Sequence, residues 1–591
     1  MHPGLPTNRR TPPYLPLALR SAERARRADR PTLLQLARRR FADRGLTPPE
    51  VKLFEAVEND RFAFYDKDGP DADRTIPAEA ITWLCSDPRA KECIGRNGLR
   101  LYGALVIERI DLDNIRLDAR LVWRCCKLRE ELSLIQAEVA ALSLSGTRVG
   151  GINADRIKVQ GSVFLRRSGD DRFHAIGEVR LLGANIGGNL DCIGGRFDNK
   201  RSDALSVDGA KIKGNVFMNC SGDQRFHATG EVRLLGAHIG GDLDCGGGRF
   251  ENKGGHALSA DRAEVKSSVF LSRSGDERFH ATGAVRLPGA HIGGGLYCTG
   301  TRFDGLLNMQ AATVRGGWVF RSLWRSSAMP RVDGPGTLLD LSQASFGVVA
   351  DDDDAPSHFQ TIVLSGFKYG GFDGDASTDA RFRIERWLRR QPEDLRSRPQ
   401  PYEQLAGVLR KMGHRREAER VLIEYQRVRR WEKAATMRAA RYERQVARWF
   451  AWLFSWMYDL LLGYGYRWGR PLWISVVILI ASAMFFGVAY ERGGIVAPNR
   501  LAHVPEERVV DQAGEASYPA FNAVTYALDV FVPLVDLEQT KYWQPVSNAG
   551  GWGVTATWVM RFDIAVGWVL TTLFVTGLAQ VVRREGGEST G

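Results

Sequence analysis

Three cysteines, Cys192, Cys245 and Cys298, recur at intervals of 53 residues, and His174, His227 and His280 keep the same interval. Thiols at a fixed spacing suggest disulfides or a redox ladder, and thiols with imidazoles suggest a metal ladder. Both chemistries need close approach. A disulfide requires Cα atoms within about 7 Å, and two ligands of one zinc ion each lie about 2 Å from the metal. If 53 residues span two stacked coils, each about 4.8 Å deep, equivalent atoms stand about 10 Å apart. On that geometry the cysteines are small apolar core residues. The histidines, in the polar connectors "RFHATG" and "RFHAIG", are structural or exposed.

Other candidates fare no better. Cys125 and Cys126 adjoin in an apolar stretch, where alternation along a strand would bury at most one. The run Asp351–Asp354 could hold a cation, but is expected to be a solvated loop leaving the repeats. No GxGxxG precedes a helix, and GxxxxGK[ST], HExxH and GxSxG are missing. The glycine pairs of "IGGNL" and "IGGDL" lie within a β-rhythm, with no helix N-terminus to receive a phosphate. No catalytic residue, cofactor or metal site is therefore assigned, and the balance leans away from an enzyme.

The elements that position these residues are repeats. "EVRLLGANIGGNLDCIGGRF" begins at Glu178, "EVRLLGAHIGGDLDCGGGRF" at Glu231 and "AVRLPGAHIGGGLYCTGTRF" at Ala284. Each unit holds two tiles of about 26 residues whose apolar bursts are too short for an amphipathic helix. Three short strands joined by glycine-assisted bends make one turn of a parallel β-helix. Looser text of the same rhythm extends it over 95–375. The fold class expected is mainly β: a parallel β-helix solenoid, an α-helical connector and a two-helix transmembrane domain.

The run "GAxIGGxLDC" followed by "ALSxDxAxVxxSVFL" resembles a bacterial group of degenerate pentapeptide-repeat-like β-helix membrane proteins, commonly labelled membrane-associated oxidoreductases. The similarity extends to "PYEQLAGVLRKMGHRREAERVLIEYQ", "GYGYRWGRPLW" and "FNAVTYALDVFVPLVDLEQTKYW". It implies a β-helix with a membrane-embedded C-terminal part and, from the label alone, a redox activity.

Charge and hydropathy divide the rest. The chain has 591 residues and a net charge of +12. Its basic surplus sits in residues 1–44, with eleven arginines against Glu23, Asp29 and Asp43, and in residues 379–448, with twenty basic and ten acidic side chains. Such segments point to an anionic partner. Residues 1–44 are expected to be a disordered basic tail without a signal peptide, and 45–94 a small helical cap. The connector, 376–448, carries a tetratricopeptide-like hairpin with Tyr402, Leu405, Ala406 and Leu409 on one face, a break at Gly413, and Ala418, Val421, Leu422 and Tyr425 on the next. One such unit cannot bury its own face, so it should lie against the end of the β-helix.

Pro471–Tyr490 and 564–582 are uncharged and long enough to span a bilayer. The preceding 449–466 carries Trp449, Trp452 and Trp456 on one face and is expected to lie in the interface; spanning would invert the topology. Arg438, Arg441, Arg444, Arg448, Arg467, Arg470, Arg583 and Arg584 are expected at anionic headgroups, with lipid favoured over nucleic acid. The loop between the spans holds eight acidic and four basic residues. The positive-inside rule then places it outside and the β-helix and both termini in the cytoplasm of a bacterial inner membrane. Eight cysteines without a CxxC agree with a reducing compartment.

In that loop, within 467–591, Pro519 opens and Pro533 closes a segment whose Phe521, Val524, Leu528, Phe531 and Val532 share a side. It is either an amphipathic cap on the outer leaflet or a re-entrant helix. In the second case Phe521, Tyr526, Asp529 and Asp536 belong to a pore segment and conduction requires a homo-oligomer. Nothing matches the TxGYG potassium filter. Three functions follow: a membrane-held β-helical platform for scaffolding, sensing or binding an unidentified protein or small molecule; an oligomeric channel or pore gated by the β-helix; or the oxidoreductase implied by the resemblance.

Overall fold

A computed structural model describes residues 31–220, 222–321, 337–352, 359–373, 377–438, 470–497, 520–546 and 550–587. The chain divides into two compact units, Met1–Ala418 and Glu419–Gly591.

The first unit is mainly β and solenoid-like. Its strands pair in parallel in two long sheets, of 19 and 14 strands among the described residues. Ile186 stands in register with Val159 and Ile212, and Ile212 with Ile239. Each step of this ladder is one coil, and two steps make up the 53-residue repeat. A coil holds four short strands rather than the three expected. His174–Ala175 and Val179–Arg180 lie in one sheet, Asn185–Ile186 and Leu190–Asp191 in the other. The glycine pair Gly187–Gly188 turns a corner inside the segment that looks continuous in sequence. A β-carbon at the equivalent Gly241 would overlap Asn215 Oδ1, because the asparagine accepts a backbone N–H from the next coil there. Ser162, Asn189, Asn215, Asp242 and Ser268 form this polar ladder, with bonds of 2.8–3.2 Å.

A phenylalanine column explains why the period is two coils. Phe173, Phe197, Phe226, Phe250, Phe279 and Phe303 contribute one ring per coil, with successive centroids 5.1–5.7 Å apart. The rings alternate between two register positions. Phe197 stands opposite Ala228; one residue before the His227–Arg196 pair, Phe226 falls opposite Gly195. A β-carbon at the equivalent Gly248 would come within 2.8 Å of the Phe250 ring. Large thus meets small in both positions, so adjacent coils differ and alternate coils match.

Helices close both ends. At the N-terminal end stand α1 (Leu33–Arg40), α2 (Pro48–Glu58), α3 (Ala78–Ser86) and α4 (Pro88–Glu92). Helix α1 lies inside the stretch expected to be a disordered tail. Thr32 and Gln35 form a reciprocal cap, and Leu33 and Ala37 are fully buried, which outweighs the surrounding arginines. Phe41, Phe54 and Trp83 pack together at 5.5–6.5 Å. At the far end stand α5 (Ala380–Arg386) and α6 (Pro399–Lys411). From α6, Gln400 and Gln404 donate side-chain hydrogen bonds to the Phe367 and Tyr369 carbonyls at 2.9 and 2.8 Å, covering the last strand edge. After Gly413, in the left-handed region at φ +88°, follows α7 (Arg415–Arg438).

Asp351 departs from the solvated loop expected of its acidic run. It ends the strand Ser345–Asp351 and is buried. Both terminal nitrogens of Arg383 donate to it at 2.7 Å, and Trp387 Nε1 at 3.2 Å. Arg383 also covers the Phe372 ring at 3.9 Å. This charge is buried because it is fully paired.

The second unit contains α8 (Arg470–Glu491), α9 (Ala523–Phe531), α10 (Gln539–Tyr542) and α11 (Gly550–Gly587). A short antiparallel ladder joins Ile495–Val496 to Gln544–Pro545. Within α8 and α11, Leu472–Glu491 and Gly551–Val575 are long and apolar enough to cross a membrane. The first agrees with the expected span. The second overlaps the expected 564–582: α11 runs unbroken for 38 residues and contains that whole stretch together with Arg561 and Asp563 just before it.

Candidate functional site

In the first unit the repeated cysteines stay apart. Cys192, Met218, Cys245, Leu271 and Cys298 occupy one buried column, linked coil to coil by backbone bonds of 2.7–2.8 Å. Methionine and leucine therefore separate the thiols, and two coils span about 10 Å. Burial holds Cys192 and Cys245 well above the ordinary thiol pKa and pushes Cys298 up to about 12. Among the described residues, no three His, Cys, Asp or Glu side chains gather as a metal would need.

Cys125 and Cys126 occupy a corner between strands, not opposite faces of one strand as expected; Cys125 has φ +53°. Cys126 is buried, and burial pushes its pKa up to about 12. Burial, followed by a hydrogen bond to Asp171, also raises that of Cys125. Lys67 pairs with Asp171 at 2.6 Å, so its ammonium is engaged by a carboxylate rather than left to stabilise a thiolate.

The histidines have partners that inspection of equivalent positions misses. His174 Nε2 lies 2.9 Å from Asp198 Oδ2, His227 Nε2 3.2 Å from Glu251 Oε2, and His280 Nε2 2.7 Å from Asp304 Oδ2. Each carboxylate comes from the following coil, 24 residues on, and also accepts from Arg196, Arg249 or Arg302. Burial lowers the pKa of His174 and His227 despite these bonds. For Asp198, Glu251 and Asp304 burial acts upward, yet arginine and histidine hydrogen bonds bring the pKa below the ordinary carboxylate value. These trios join adjacent coils.

In the second unit α9 packs between the two long helices. A β-carbon at Gly487 of α8 would touch Ala523, where α9 starts, and Gly567 of α11 leaves room for the Phe531 carbonyl, where α9 ends. Gly494, just beyond α8, meets Gly553 near the start of α11. Counted at about 1.5 Å per residue from Gly553, the end of α9 meets α11 about 21 Å along that helix.

The buried residues of α9 are Tyr526, Ala527, Val530 and Phe531, not the stripe expected: Val524 is exposed. With long helices as neighbours, the small Ala527 permits close approach. Asn522 caps the start by accepting the N–H groups of Val524 and Thr525.

The expected pore or outer-leaflet residues separate. Phe521 stacks on Tyr490 at 4.4 Å. Tyr526 is buried edge-on to Phe486 at 5.0 Å. Asp529 accepts from Leu537 N at 2.7 Å, Thr540 N at 2.8 Å and Thr540 Oγ1 at 2.9 Å, tying the returning chain to α9. Asp536 is exposed and pairs with Lys541 at 3.0 Å.

Arg441, Arg444, Arg448, Arg467 and the segment 449–466 lie outside the described residues. Arg438, Arg470, Arg583 and Arg584 fall on described helices, but their side chains lie outside the description.

The residue missed in sequence is Asp563. It is 1% exposed, deep in α11, and the Ser482 hydroxyl of α8 donates to its carboxylate. Among the described residues its Oδ2 has no hydrogen-bond partner. Arg561 does not serve it; that guanidinium lies 5.4 Å from the Trp558 ring centroid. The signal available in the sequence was a lone carboxylate immediately before the long apolar run 564–582.

The chain is thus a mainly β protein of parallel, solenoid-like sheets with two candidate membrane helices near its C-terminus. No family model, curated protein or solved structure matches it.

Proposed function

We propose that this protein is a parallel β-helix held on a bacterial inner membrane by two spanning helices and serving as a cytoplasmic platform for scaffolding, sensing or ligand binding. The resemblance to pentapeptide-repeat-like membrane proteins supports the reading. The observation that carries it is the apolar belt of the second unit. Trp473, Val477, Ile480 and Met484 of α8, and Trp558, Phe562 and Trp568 of α11, are all more than half exposed. A core helix of a soluble protein would bury those side chains, whereas lipid accepts them. The arginines flanking the spans and the acidic intervening loop support cytoplasmic termini. Full-length protein reconstituted in anionic liposomes should stay with the vesicles through alkaline carbonate and leave them impermeant to ions. Release by carbonate would sink the anchor.

A second reading, an oligomeric channel, is favoured by the chain that returns from α9. Asp536, Glu538 and Lys541 form an exposed ion-paired cluster there. Irregular charged backbone at membrane depth is tolerated where it is buried in protein or lines water, and an assembly would supply either. Thallium flux into proteoliposomes, together with an oligomer in detergent, would select this reading over the first. No specific observation favours the oxidoreductase.

A further inference from the structure

We propose that Asp563, Ser482 and the backbone carbonyl of Phe531 form a binding site for a small monovalent cation within the second unit. Asp563 is buried in the apolar stretch of α11, and one of its oxygens has no hydrogen-bond partner among the described residues. An ionised carboxylate is strongly disfavoured there unless something compensates it, and the nearby Arg561 is turned to Trp558.

Two further oxygens come from the neighbouring helices. Ser482, 5% exposed on the facing helix, already bonds Asp563, and a hydroxyl oxygen keeps lone pairs for an ion. Gly567 is one turn beyond Asp563 on the same face of α11. The space left by its missing side chain admits the carbonyl oxygen of Phe531. Phe531 is the last residue of α9, so its carbonyl belongs to the turn that a helix leaves without internal donors. The negative end of the α9 dipole therefore lies against α11 at Gly567, one turn from Asp563.

Charge selects the class. One carboxylate neutralises a single positive charge, while a divalent ion would leave an uncompensated charge in apolar surroundings. Hard oxygen ligands suit sodium or potassium.

The test uses full-length protein in detergent, so it depends on neither membrane anchoring nor conduction. Its melting temperature is followed at fixed pH against NaCl, KCl and, at equal ionic strength, choline chloride. A saturable rise with sodium or potassium and none with choline is expected. Asp563→Asn should abolish the saturable rise, and Ser482→Ala should weaken the apparent affinity by about tenfold, the scale on which losing one supporting group acts at metal sites. An equal rise in choline would overturn the proposal without any variant. So would a saturable response surviving in Asp563→Asn, or a wild-type melting temperature that follows pH and ignores the metal ion, which would identify a bound proton instead.

Discussion

Phe197 and Phe226 stack with centroids 5.2 Å apart although they occupy different register positions, Phe197 opposite Ala228 and Phe226 opposite Gly195. Each ring fills the space its neighbour's small residue leaves. Phe226→Ala should therefore destabilise the first unit by about 3–5 kcal/mol, and Ala228→Leu, which overfills the other position, by about 1–3 kcal/mol. Chemical denaturation of the full-length protein, followed by loss of β-sheet circular dichroism, measures both.

The pairing of Asp351 with Arg383 makes a second prediction. Arg383→Met leaves a buried carboxylate without its partner and should cost about 3–5 kcal/mol. Replacing both, as Asp351→Leu with Arg383→Met, should recover most of the loss because no charge remains to be satisfied. Melting temperatures of the single and double variants decide it; equal losses would show that Arg383 acts by packing alone.

Acid should weaken the first unit in two stages. His174 and His227 have folded pKa values below the ordinary one, so the unfolded chain takes up protons first and stability falls as pH drops through about 6.5. Asp198, Glu251 and Asp304 have depressed values too. Their contribution is present above the unfolded carboxylate pKa of about 4 and is lost as pH falls through the folded values. Melting curves from pH 8 to pH 3 should show both stages, and His174→Gln with His227→Gln should flatten the upper one.

Cys192, Cys245 and Cys298 should resist both oxidation and alkylation in the folded protein, since all are fully buried and separated by Met218 and Leu271. Mass spectrometry after brief treatment with an alkylating reagent should find them unmodified. A Cys192–Cys245 crosslink formed by an oxidant under native conditions would contradict the column.

Much of the first unit was legible before any coordinates. Constant spacing identified stacked coils, and the distance between alternate coils separated the cysteines. The number of sides per coil was hidden because "IGG" continues the apolar rhythm while its glycines turn a corner around Asn189 or Asn215. The histidine–carboxylate pairs were hidden because His174 and Asp198 hold unlike positions in the repeat.

The amino-acid order by itself determined the parallel stack and the presence of two helices long and apolar enough for a membrane, because periodicity and hydropathy are local properties of the text. Tertiary structure alone decided that Asp351 is buried rather than solvated, that α9 packs between two long helices, and that Asp563 faces Ser482. Those outcomes depend on which distant side chain meets each charge, and a carboxylate is written identically whether water, an arginine or an apolar helix surrounds it.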